Sequence, residues 1–329
     1  MYLSRARGNL SLVTAMSNEF KESVFRKCSQ LSIAAAFLLS TTGCAGKPQA
    51  AISPSHMEAI NHNQHGIRAE SRGESRQALG EFAEALRVNS SIENTEGVVV
   101  ALVNSSRVHR HLGDADSALS TINRAIPLIT HQSPLYAEVA FEVAQARLLA
   151  GKTNEAAEWA AKAAVAEKGN NRGMRINLLA RLLYLQGNMA EAESRAREAL
   201  LLTREKELRE EEANSLRLLG DIQAADKRTT EAAESYSQAL DLDKAIGKSK
   251  KIAADLRGLA LLSLVRSEPD HALGFYQRAF AVSSTSGDLT GAADDLLEMA
   301  LIHEKRGEKE MSDRLLAERE KLLQKPVTP

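Results

Sequence analysis

EAAESYSQAL, residues 231–240, places alanine at 232, tyrosine at 236 and alanine at 239. The same small–large–small spacing, at 0, +4 and +7, returns in QALGEFAEAL (Ala78, Phe82, Ala85) and in PDHALGFYQRAF (Ala272, Tyr276, Ala279). Positions 0, +4 and +7 share one face of a helix. Small residues at 0 and +7 let a second helix approach closely, and the larger residue between them fills the gap.

Taking the first small residue as an anchor, the pattern runs through Ala78, Ala118, Ala156, Ala192, Ala232 and Ala272, with Ser312 as a degenerate seventh. The intervals are 40, 38, 36, 40, 40 and 40 residues. Four residues after the anchors stand Phe82, Ile122, Ala160, Ala196, Tyr236, Tyr276 and Leu316; seven after stand Ala85, Ala125, Ala163, Ala199, Ala239, Ala279 and Arg319. Five before the anchors stand Gly73, Gly113, Gly151 and Gly187, then Lys227, Ser267 and Gly307. Glycine there suits the left-handed end of a preceding helix. Twelve before stand only small residues: Gly66, Ser106, Ala144, Ala180, Gly220, Ala260 and Ala300. Each unit therefore reads as helix, tight turn, helix. Such a pair cannot bury its apolar stripe alone, so neighbours must stack. The last unit, with Ser312 and Arg319 and the charged tail EKEMSDRLLAEREKLLQK, has the polar outer face of a cap.

The composition agrees. Apolar residues make up 43% of the 329, but aromatics only 4%, so the core is built from alanine and leucine. Both are strong helix formers, and only seven prolines interrupt the chain. An all-α protein is expected. A formal charge of −1 gives no general attraction to nucleic acid or an anionic membrane. The only cysteines, Cys28 and Cys44, lie near the start, so no disulfide framework is expected in the body.

The N-terminal part reads as an address. KESVFRK (21–27) is a basic flank, LSIAAAFLL (31–39) a short apolar run, and STTGC ends at Cys44. This is the layout of a secretory signal, too short in its apolar part to span a bilayer. Removing residues 1–43 takes away five basic and two acidic groups and leaves a mildly acidic chain. Met16 is an alternative start, since residues 1–15 add nothing the signal needs. The Gly43-Cys44 end resembles a bacterial lipobox, with Thr41 where that family usually has leucine. The resemblance implies a palmitate-bearing lipid anchor at Cys44. Ala45 in the next place, rather than aspartate, implies the outer membrane, facing the periplasm. Ordinary secretion into the periplasm is the alternative. The expected division is a signal at 1–43, a flexible tether at 44–58, the repeat array at 59–325 and a tail at 326–329.

LLG at 218–220 and the small–aromatic–small triples make the array similar to tetratricopeptide-repeat proteins, over about residues 59–325. That family has a period of about 34 residues, whereas the interval here is mostly 40. The resemblance implies a right-handed superhelical solenoid of about seven antiparallel helix pairs, whose first helices line a concave, partner-binding face. Its face positions are Asn63, Arg107, Arg110, Gln145, Asn177, Arg181, Asn214, Arg217, Asp221 and Arg257. Amides suit the backbone of an extended peptide, and arginine suits its carboxylates. The plain alternative for these side chains is solvation, or pairing within the array.

Other chemistry is sparse. His56, His62 and His65 gather near the start without the further ligands zinc would need. His109 and His111 are two apart and face different sides of a helix. Glu210–Glu212 and Asp294–Asp295 read as solvated helix faces, and REKELREEE as local charge pairing along one helix. Neither a phosphate loop nor a nucleophile–base motif is present. No catalysis, cofactor, metal or nucleic acid is expected.

The expected function is an interaction scaffold in the bacterial envelope, serving pilus secretin assembly, wall-hydrolase docking or polysaccharide export. Its partners would be other envelope proteins. The alternatives are a cytoplasmic peptide-sensing regulator and a self-associating structural oligomer.

Overall fold

The computed structural model describes residues 53–324; Cys44 and the signal lie outside the described residues. Within them are fourteen α-helices, one short 3-10 helix and no strand. The helices are α1 (Pro54–Ser71), α2 (Ser75–Ser91), α3 (Thr95–His111), α4 (Ala115–Asn123), α5 (Tyr136–Leu149), α6 (Thr153–Ala166) and α7 (Arg172–Leu185). They continue as α8 (Met189–Glu205), α9 (Arg209–Ala225), α10 (Thr229–Ile246), α11 (Ser249–Val265), α12 (Pro269–Thr285), α13 (Leu289–Lys305) and α14 (Lys309–Leu323). They stack as seven pairs, each helix packed on the one before and the one after. None is long and apolar enough to cross a membrane.

The anchors are the points of closest packing. All six anchor alanines and all six alanines seven residues later are fully buried. The larger residue between them needs room on the partner helix, and the small position twelve before the anchor supplies it. A Cβ at Gly66 would lie 2.5 Å from the Phe82 ring, and one at Gly220 would lie 2.8 Å from the Tyr236 ring. Ser312 is buried like the other anchors, while Leu316 is exposed, as suits the last pair.

The 40-residue interval has a simple origin. Helices of 17 or 18 residues alternate with turns of two or three residues, and each turn contains one left-handed residue. Such residues stand at 73, 93 and 113, then at 187, 207, 227, 247, 267, 287 and 307. Turns within a pair and turns between pairs therefore close in the same way. Glu93, Glu207, Lys227 and Ser267 adopt this conformation without being glycine. Repeats two to four depart from the rule. Pro127 lacks an N–H and its ring clashes with the carbonyl four residues back, so α4 stops at Asn123. Helices α5, α6 and α7 have only 14 residues each, which accounts for the shorter intervals.

Two sequence expectations need correction. The tether expected through residue 58 ends earlier, because α1 begins at Pro54. Ser53 caps it by accepting from the His56 N–H, and proline is pre-organised for the first helical position. REKELREEE is not one helix: Glu207 is left-handed, and the chain turns between α8 and α9. Arg204 and Glu212, paired at 2.7 Å, therefore join two helices.

Candidate functional site

Eight of the ten face residues converge on one cavity of about 700 Å³: Arg107, Arg110, Gln145, Asn177, Arg181, Asn214, Arg217 and Asp221. Every residue lining it belongs to a first helix (α3, α5, α7, α9 or α11) or to the cap of one. Asn63 and Arg257 do not line it. Asn63 accepts a hydrogen bond from Asn104 (2.8 Å), and Arg257 is bound by Asp295 further along the array.

Most of the arginines are already engaged. Arg217 donates through Nε to Asp255 Oδ1 (2.6 Å) and through Nη2 to both Asp255 Oδ2 (3.1 Å) and Asp243. Arg257 repeats the arrangement, with Nε 2.7 Å and Nη2 2.8 Å from Asp295 and Nη2 2.9 Å from Ser283 Oγ. Arg110 reaches Glu142, a carboxylate with no solvent exposure that also accepts from Ser106 (3.0 Å). Arg107 donates to Glu138 at 2.6 Å. Pairing within the array thus holds for these four. Arg181 differs: it is exposed and forms no ion pair among the described residues.

The buried carboxylates carry the strain of this arrangement. One guanidinium sits between Asp243 and Asp255, and burial pushes the Asp255 carboxyl up despite its bonds to Arg217. Burial likewise raises Glu142, Asp295 and Asp221; the Tyr236 hydroxyl, 2.6 Å away, offsets part of the effect at Asp221. Asp295 is therefore no solvated surface charge, contrary to the reading of Asp294–Asp295 as an exposed run.

The sequence expectation missed Glu138, Arg175 and Lys251, which also line the cavity. Arg175 is 1% exposed, stacks 3.9 Å above the Phe141 ring and donates through Nη2 to Glu138. Its Nε and Nη1 have no hydrogen-bond partner, and neither has Asn177 Oδ1. Asn214 is engaged within the array: its Oδ1 accepts from Arg217 (3.2 Å) and from Lys251, and its Nδ2 donates to Glu211 (3.2 Å). A signal for Arg175 exists in the register. Arg217 finds its partners 38 and 26 residues on, at 255 and 243, and Arg257 does the same at 295 and 283. The acceptor's place at 295 and 255, carried back in steps of 40, falls on Ser215 and then on Arg175.

At the N-terminal end, His62 pairs with Glu81 at 2.8 Å and His65 lies 3.9 Å from the same carboxylate. Among the described residues, no group of three His, Cys, Asp or Glu is placed to hold a metal.

Comparison with known proteins agrees with this architecture. Residues 174–245 match the tetratricopeptide-repeat family. No curated protein matches the chain. Among solved structures, the apo form of RapI aligns with a TM-score of 0.61 at 17% identity, over 81% of this chain and 98% of RapI. A Rap protein complexed with Competence and Sporulation Factor aligns at 0.63 and 14%, over 82% and 77%. Aspartyl phosphate phosphatase F from Bacillus subtilis aligns at 0.61 and 14%, over 83% and 72%. At these identities the likeness is one of fold. The described residues form a tetratricopeptide-type solenoid of helix pairs.

Proposed function

We propose that the chain is a non-catalytic adaptor whose cavity holds an extended peptide segment of another protein. One observation carries the reading: amide and arginine side chains from consecutive first helices converge on a single cavity. Amides serve a peptide backbone, which presents a donor and an acceptor at each residue. The arginines narrow the expected contacts with acidic side chains. Arg181 is available, whereas Arg217 is spent on Asp243 and Asp255. The setting we propose is the periplasmic face of the outer membrane, reached through a lipid on Cys44. Its support is the basic flank, apolar run and Gly-Cys end of residues 21–44. Other envelope proteins are the proposed partners.

The test joins both parts. Crosslinking in living cells, followed by mass spectrometry of fractionated membranes, is done with the unaltered chain, Cys44→Ser and Arg181→Glu. The unaltered chain is expected in the outer membrane with one envelope assembly enriched, Cys44→Ser is expected to leave the membrane, and Arg181→Glu is expected to lose the partner about tenfold. Unchanged partner recovery by Arg181→Glu would remove the peptide contact from the reading.

A second reading, a cytoplasmic peptide sensor, is favoured by the Rap structure solved with Competence and Sporulation Factor. Soluble, cytoplasmic behaviour of both the unaltered chain and Cys44→Ser would select it. The phosphatase among the similar structures means that the fold by itself decides nothing about catalysis.

A further inference from the structure

Glu138 holds two arginines at once. Arg107 Nη2 donates to its Oε1 at 2.6 Å, and Arg175 Nη2 donates to its Oε2. The two arginines come from α3 and α7, on either side of α5, so one carboxylate ties three consecutive repeats together. Its surroundings set it apart. The carboxylates that bind Arg110, Arg217 and Arg257 have no exposed side-chain surface, whereas Glu138 is 34% exposed and lines the cavity. A buried carboxylate cannot leave its arginine without an uncompensated charge. A partly exposed one is rehydrated as it rotates out, so the cost of its leaving falls on the buried Arg175 rather than on the carboxylate. If Glu138 rotates away, Arg175 is left stacked on Phe141 with the Glu167 carboxylate 3.8 Å from Nε as its remaining counter-charge, and its freed Nη2 and unpartnered Nη1 are open to a ligand carboxylate.

We propose that Glu138 determines the specificity of the cavity by occupying, as part of the protein, the place of a ligand carboxylate. This inference rests on the peptide-binding reading above. A neutral segment lies over the closed cluster and leaves it intact. An acidic segment exchanges its own carboxylate for that of Glu138, so Arg107 and Arg175 stay paired throughout. The cavity therefore discriminates between acidic and neutral segments through one exchangeable group.

The test is fluorescence polarisation with the full chain and two labelled, end-capped probes, an oligoglutamate and an oligoglutamine. Glu138→Gln removes the internal competitor and is expected to bind oligoglutamate about tenfold more tightly, with oligoglutamine changed less than about twofold. Glu211→Gln removes the same charge from the same cavity but frees no arginine, because Glu211 accepts from Asn214. It is expected to shift oligoglutamate binding only about twofold. Thermal unfolding checks that Glu138→Gln remains folded. If it does not, Glu138→Asp, too short to span both arginines, takes its place with a gain in the same direction. Equal gains from the two Gln variants, or weaker binding by Glu138→Gln, would overturn the proposal. Binding of both probes without dependence on Glu138 overturns this inference alone. Binding of neither probe by any form overturns the peptide-binding reading with it.

Discussion

The seam between α9 and α11 and the seam between α5 and α7 use the same three places of the repeat. In the first, those places hold Arg217, Asp255 and Asp243; in the second, Phe141, Arg175 and Glu167. The first seam is closed by charge, with one guanidinium shared between two buried carboxylates. The second is closed by an aromatic ring carrying a buried guanidinium, with the Glu167 carboxylate 3.8 Å from Nε. The arginine has moved to the opposite wall of the seam. These places between first helices are filled in each case, but their occupants change: between α3 and α5 they hold Val103, Val139 and Ile129, packed in one apolar cluster. At Arg217 the occupant locks two repeats. At Arg175 it remains incompletely satisfied and borders the cavity.

The sharpest way to break this comparison is to make one substitution in both seams. Arg217→Met leaves Asp243 and Asp255 facing each other with no counter-charge and is expected to cost about 3–5 kcal/mol, read from urea unfolding. Arg175→Met removes a charge that is poorly served and keeps an adaptable side chain on Phe141. It is expected to fall within about 1 kcal/mol of the unaltered chain, or to stabilise it. Equal losses would mean that the two seams are equivalent and that the contrast in their hydrogen bonding has no energetic meaning.

A gentler probe acts on the first seam through pH. The Asp255 carboxyl is raised by burial, so its protonated form favours the folded state. That contribution is complete below the ordinary aspartate pKa of about 3.9 and is lost as pH rises through the folded value, about 7. The thermal midpoint should therefore fall between acidic and neutral pH. Asp255→Asn should flatten the slope, whereas Arg175→Met should leave it unchanged. The smallest effect concerns turns. Lys227→Gly and Glu207→Gly relieve left-handed backbone in the regular half and are expected to stabilise by about 0.5–1 kcal/mol in thermal unfolding.

Much of the fold was legible because packing repeats. Ala78, Ala118, Ala156, Ala192, Ala232 and Ala272 mark close helix contacts, and close contacts admit only small residues. The left-handed places at 93, 207, 247 and 287 were not read, because two of the four hold glutamate, and Glu207 sits inside what looks like one charged helix. The site was half legible. The face positions follow from the resemblance to tetratricopeptide repeats, so Arg107, Asn177 and Arg181 could be placed on one side. Whether an arginine is free depends on a carboxylate between 26 and 38 residues away, and helical periodicity within one unit cannot show that. Arg175 escaped because it stands where later repeats carry serine or aspartate, at 215, 255 and 295.

The recurring turn has a further consequence for the length of the array. The junction after α8, at Glu207, and the junction after α12, at Gly287, are closed by the same left-handed step two helix pairs apart. A block of 40 residues removed from or duplicated within this stretch meets its neighbours through the same left-handed turn. Recombination between such units can lengthen or shorten the C-terminal half without a new kind of turn, most readily where the exchanged seam keeps an arginine opposite its aspartate, as at Arg217 and Arg257. No such freedom exists around residues 124–135, where Pro127 and an irregular connection replace the common step. Changes in repeat number are therefore expected to accumulate after α8, while the shorter helices that carry Glu138 and Arg175 keep their number.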